Sequence, residues 1–260
     1  MQTVLQVFLA LLLAHLLADF PLQSGAMVRA KKTNWLPYAK HGLVHYLCAA
    51  GCLALFTAEP VRSLRVLGWL ALYALAHIAT DAGKQLLVRY KVAQDRAWLF
   101  LADQTLHVVI VGAIAWSLTG ASWAEMEAIV LVSVPKRLDV LVTAVVYLGA
   151  LFGGGYLIRY CTRSLSQQLS LPPEETKEEL QNAGLYIGWL ERFVVITALL
   201  VQSPALVGLI LTGKSVARLP ELKDPKFAEY FLIGTLLSIS VAFLAGLALL
   251  HYFHGSVSLR

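Results

Sequence analysis

Apolar runs of eighteen residues or more recur along this chain, and each is long enough to cross a hydrocarbon core of about 30 Å as an α-helix. In lipid a spanning helix must satisfy its backbone N–H and C=O groups within itself, so repeated runs of this length point to a helix bundle. Composition agrees. Of 260 residues, 58% are hydrophobic and 14% charged, with a mean hydropathy of +0.68, whereas a soluble domain carries about a quarter charged residues. The expected fold is all-α and polytopic: an N-terminal four-helix bundle followed by C-terminal transmembrane helices, about seven to eight hydrophobic helices in all.

Five spans are expected, at about 3–20, 42–58, 64–83, 97–118 and 138–160. The polar stretch "RSLSQQLSLPPEETKEELQNAG" reads as a short cytoplasmic linker helix within 161–184. Its prolines mark the helix start, and Glu174, Glu175, Glu178 and Glu179 suit the positive end of its dipole. The apolar stretch 185–213 is interrupted by "QSP" at 202–204 and is expected to be a helical hairpin; a last span covers about 229–252. This gives a metal-binding four-helix domain at 1–118, a fifth helix in 119–160, the linker, and a C-terminal region from 185 to 260.

The first apolar run has no basic leader and no small-x-small cleavage site after it, so it reads as a retained helix. Cys48, Cys52 and Cys161 make no disulfide framework. Loop cations set the expected orientation. Arg29, Lys31, Lys32 and Lys40 follow the first span, and Lys84, Arg89, Lys91 and Arg96 follow the third; Arg159, Arg163 and Lys177 border the fifth loop. The second and fourth loops carry only Arg62 and Arg65, and Lys136 and Arg137. Odd loops are therefore expected in the cytoplasm and the N-terminus outside, in a multi-pass inner-membrane protein. The net charge of +5 comes without a basic stripe interleaved with aromatics, which argues against nucleic acid as a partner.

The first run, "LQVFLALLLAHLLADF", carries His15 and Asp19. The second span opens "KHGLVHY", with His41 and His45; the third closes "AHIATDAGK", with His77 and Asp81; the fourth opens "LADQTLHVV", with Asp103 and His107. Each pair is spaced i, i+4, which puts both side chains on one helix face about 5–6 Å apart. Random placement of the seven His and six Asp predicts about 0.6 such pairs. There are four, one per helix. In an up-down bundle the end of span one, the start of two, the end of three and the start of four lie at the same membrane face, which loop charge makes cytoplasmic. Charged side chains at a helix centre cost about 2.5–3.5 kcal/mol even on lenient scales, so three aspartates there need a compensating cation or hydrogen bonds. The expectation is a site of one or two ions held by His15, Asp19, His41, His45, His77, Asp81, Asp103 and His107, as facing helices of bundles commonly build. Mixed imidazole and carboxylate donors suit a divalent metal, Zn first, with Mn or Fe as alternatives.

Gln23, Gln104 and Lys84 lie beside the pairs, and with Arg29, Lys31, Lys32, Arg89 and Arg96 they are candidates for a cationic rim around a phosphate or carboxylate. Lys84 is favoured, three residues past Asp81. Glu191 and Arg192 lie inside the apolar "YIGWLERFVVI", as a functional or a structural ionic pair.

Together "HLLADFPLQ", "KHGLVHY", "HIATDAGK" and "DQTLH" resemble an uncharacterised bacterial family of integral membrane proteins, a domain of unknown function, over residues 1–118. More loosely they are similar to membrane-bound metal-dependent hydrolases. "GLYIGWLERF", "GKSVARLPELKD" and "EYFLIGTLLS" resemble the C-terminal region that accompanies that domain. The resemblance implies a metal-dependent hydrolase by analogy. From the residues, the leading reading is hydrolysis of a phosphoester or other ester on a small-molecule or lipid substrate. Asp103 is the candidate base, and Lys84 would stabilise negative charge. Alternatives are a divalent-cation transporter, a di-iron oxygenase and a structural metal clip. Transport sites usually lie near the bilayer midplane, and oxygenase sites are dominated by His. Oligomeric state is left open.

Overall fold

The computed structural model describes residues 4–57, 61–120, 136–166 and 183–258. The chain forms α1 (Val4–Asp19), a short α2 (Gly25–Ala30), α3 (Leu36–Phe56), α4 (Leu64–Arg89) and α5 (Ala97–Thr119). Next comes α6 (Lys136–Leu148), which continues through a π-helical turn at Gly149–Gly153 into α7 (Gly154–Ser166). Then follow α8 (Ala183–Leu200), α9 (Ala205–Ala217), a 3₁₀ turn at Glu221–Lys223 and α10 (Pro225–Ser258). Five stretches are long and apolar enough to cross a membrane: Leu36–Phe56, Leu64–Arg89, Ala97–Thr119, Leu138–Arg163 and Pro225–His254; α1 and α9 are shorter apolar helices. The protein is all-α and multi-pass.

Two helices are longer than the hydropathy pattern suggests. α3 begins at Leu36 because Pro37 is tolerated in a first helical turn. α4 runs on to Arg89 because cations are favoured at a helix C-terminus. The small α2 has no apolar signature; Ser24 caps it by accepting from the Met27 N–H. Of the linker expected at 161–184, residues 161–166 belong to α7 and 183–184 to α8, and the rest lies outside the described residues.

The chain divides into two compact units, 1–148 and 149–260. In the first, α1 packs on α3, α3 on α4, α4 on α5 and α5 on α1, which closes a four-helix ring; α6 lies against α1. Lipid is as apolar as leucine, so this association depends on close packing and interhelical hydrogen bonds. Small residues supply the packing. Ala10, Ala14 and Ala18 make an i, i+4 stripe along α1, all fully buried, and their neighbours are His15 and Asp19.

Gly42 brings α3 to α4: a Cβ there would stand 2.2 Å from Cδ1 of Ile78. The glycine lets His41 and His45, on either side of it, reach His77. Gly51, on the same helix, has nothing within 4 Å of its would-be Cβ. Gly42→Leu is expected to destabilise the protein by about 1–3 kcal/mol through overpacking, seen as earlier thermal unfolding, while Gly51→Leu unfolds like the wild type. Equal unfolding temperatures for the two variants would remove Gly42 from this role.

In the second unit, α8 packs on α10 and α9, and the π-helical turn packs on α8. The stretch 185–213 forms two helices on either side of "QSP": Gln202 takes a left-handed φ of 55°, and Pro204 precedes the start of α9. Glu191 and Arg192 are not paired with each other. Lys214 donates to Glu191 at 2.9 Å, while the buried Arg192 donates to the Ser238 hydroxyl at 3.0 Å and to the Leu151 carbonyl of the π-helical turn at 2.7 Å.

Candidate metal centre

The end of α1, the start of α3, the end of α4 and the start of α5 meet inside the first unit. All eight His and Asp side chains of the four pairs converge there. The five imidazoles are between 0% and 2% exposed and Asp103 is 7% exposed; Asp19 and Asp81 are partly covered. The i, i+4 spacing aligns each pair, but only the closed ring brings the four pairs together.

Asp19 is the hub. Its Oδ1 lies 3.1 Å from Nε2 of His41, 3.0 Å from Nε2 of His45 and 3.2 Å from Nε2 of His77, and its Oδ2 is 3.6 Å from Nε2 of His15. The Nε2 of His41 is also 3.1 Å from that of His77 and 3.2 Å from that of His45. Three ring nitrogens and one carboxylate oxygen are thus packed about as closely as atoms can be without bonding. Nitrogen lone pairs facing one another repel unless a proton or a cation lies between them. A tetrahedral ion with bonds of about 2.0–2.1 Å holds its donors about 3.3 Å apart, so the observed spacing fits a single ion with small adjustments.

Three overlapping groups have ligand atoms within 4.8 Å of one another: His15, Asp19, His45 and His77; His41, His77 and Asp81; and Asp81, Asp103 and His107. Orphaned polar atoms support the same reading. Nδ1 of His15, Nδ1 of His77, both nitrogens of His107 and Oδ1 of Asp103 are buried without a hydrogen-bond partner, which is costly unless something binds them.

Lysines engage the other two carboxylates. Lys31, at the end of α2, is 2.5 Å from Oδ2 of Asp81, and Lys84 crosses from α4 to Oδ2 of Asp103 at 2.9 Å. Lys84 therefore serves the neighbouring helix and not its own pair. Gln104 also donates to Oδ2 of Asp103, at 3.2 Å, and Gln23 lies 3.0 Å from Nε2 of His41. Arg29 and Arg96 make none of these contacts.

Tyr73 is the residue the sequence reading missed. It is 1% exposed, and its hydroxyl lies 3.0 Å from Nδ1 of His45. Such a partner fixes the ring so that Nε2 presents its lone pair to an ion. The signal was present: Tyr73 stands four residues before His77, one turn back on the same face.

Fold and centre together define a polytopic membrane protein whose four-helix ring encloses a His/Asp cluster able to hold a metal. Residues 7–133, which include all four pairs, match the model of a family described as a protein of unknown function (DUF3307). No curated protein and no solved structure matches the chain.

Proposed function

We propose that the protein is an integral-membrane, metal-dependent hydrolase that cleaves a phosphoester or another ester at the cytoplasmic face of the inner membrane. The observation that supports this most strongly is the convergence of three Nε2 atoms on one oxygen of Asp19, at 3.0–3.2 Å. The donor set of imidazole and carboxylate suits Zn, with Mn or Fe next. Charge balance favours one ion over two. With Lys31 and Lys84 already on Asp81 and Asp103, one divalent ion leaves the three aspartates a single excess positive charge, and two ions leave three, in a buried site.

A divalent ion in this position supplies Lewis-acid polarisation and makes a water nucleophilic at neutral pH. The protein's own groups do the rest. Asp19, His41, His45 and His77 would hold the ion. Asp103 is held through Oδ2 by Lys84 and Gln104, which leaves Oδ1 without a hydrogen bond, 3.8 Å from Nδ1 of His107, to accept a proton. Lys84 is a quarter exposed and supplies positive charge beside the developing negative charge. The cation-rich segments around Lys31 and Arg89 support a cytoplasmic position for this end of the bundle.

Inside-out inner-membrane vesicles containing the protein are expected to hydrolyse a membrane-impermeant chromogenic phosphoester, and sealed right-side-out vesicles to leave it intact. Chelation should stop the reaction and added Zn should restore it. Purified, metal-bearing protein that cleaves neither phosphoesters nor carboxyl esters would overturn the hydrolase reading.

A further inference from the structure

Beside the metal centre an open groove of about 520 Å³ runs between residues 31–39, which include the first turn of α3, and the last three turns of α4. Its cations are Lys31, Lys32 and Arg89, and no carboxylate lines it. Its apolar wall comes from Ile78, Ala82 and Leu86 on α4, with Trp35 at its edge. Lys31 joins the groove to the centre: its ammonium touches Asp81, whose Oδ2 is 3.7 Å from Nε2 of His41. Ile78 follows His77 directly. The groove therefore adjoins the metal cluster, with Lys31 common to both.

We propose that this groove seats a lipid carrying an anionic phosphate headgroup, and that such a lipid is the substrate; this rests on the hydrolase reading of the adjoining centre. Charge and polarity both select the occupant. Two cations, Lys32 and Arg89, with no acid among the lining match a phosphate, which takes charge-assisted hydrogen bonds from lysine and arginine; Lys31 is held by Asp81. A soluble phosphate would need no apolar wall, whereas here α4 presents Leu86, half exposed, and the segment before α3 presents Trp35, 74% exposed. Both lie at the end of a spanning helix, where tryptophan sits at headgroup level and basic residues attract anionic lipid. An acyl chain can stay in the bilayer along Ile78 and Leu86 while the phosphate reaches Lys32 and Arg89.

The test is binding in detergent of dihexanoyl phosphatidic acid, dihexanoyl phosphatidylcholine and inorganic phosphate, by calorimetry, to wild type and to Lys32→Gln/Arg89→Gln. These two side chains are exposed and touch none of the metal-site groups, so metal content and unfolding temperature serve as checks on folding. Phosphatidic acid is expected to bind wild type at least about tenfold more tightly than either comparison ligand, and the double variant to lose about tenfold of that affinity. Equal affinity for the choline lipid, equal affinity for inorganic phosphate, or an unchanged double variant overturns the proposal. The two readings fail separately. Selective binding without any ester hydrolysis removes the hydrolase and leaves a lipid site; hydrolysis of soluble esters without selective binding removes the lipid and leaves the hydrolase.

Discussion

Protein purified without chelators is expected to carry one divalent ion per chain, and Asp19→Ala is expected to lower that content to below about a tenth. Asp19 is chosen because one of its oxygens lies 3.0–3.2 Å from three ring nitrogens and the other 3.6 Å from a fourth. No other carboxylate in the centre meets so many. Loss of supporting groups around a metal already costs about 10–100-fold in affinity, and removing the hub costs more. Elemental analysis reads the outcome directly, with the exposed Asp95 changed to Ala as a control that keeps its ion. Because the ion binds the folded state, chelation also lowers the unfolding temperature of wild type, while Asp19→Ala, having nothing to lose, does not respond. Wild-type protein that arrives metal-free, with an unfolding temperature indifferent to both Zn and chelator, would show that the imidazoles are held together by hydrogen bonds alone.

Asp103→Asn, in contrast, is expected to keep the ion and lose the reaction. The amide oxygen can still accept from Lys84, so the local geometry survives, but the unpartnered Oδ1 position no longer takes a proton. General-base contributions are typically 10²–10⁴-fold, and a fall of about that size in kcat is expected with metal content unchanged. A variant retaining full activity would move the base elsewhere, and His107, four residues on with both ring nitrogens unpartnered, would be next to test. Loss of metal together with activity would reassign Asp103 as a ligand.

The four pairs were legible because i, i+4 spacing is a local property of a helix, and four such pairs far exceed chance. Their depth was legible too, since alternate spans turn the same end toward the same side of the bilayer. What the lysines do was not legible. Lys31 sits in a short polar helix with no periodic signal and reaches a carboxylate fifty residues away, and Lys84, read as an extension of its own helix face, bonds to α5. Both contacts depend on which helices are neighbours. Tyr73 was overlooked because an aromatic residue in an apolar run looks like packing until its hydroxyl is seen to have a partner. Glu191 and Arg192 show the same limit: adjacent residues on a helix point about 100° apart, and each found its own partner on a different element.

By itself, then, the sequence determined the membrane class, most of the spans and the set of candidate ligands, because hydropathy and helical periodicity act over a turn or a span. Only the tertiary structure decided that α1 closes a ring with α3 and α5, that Asp19 is the hub, and that lysines already hold Asp81 and Asp103. Those facts depend on close approach between helices, permitted by the alanine stripe of α1 and by Gly42, and on distances of a few tenths of an ångström that no local pattern encodes.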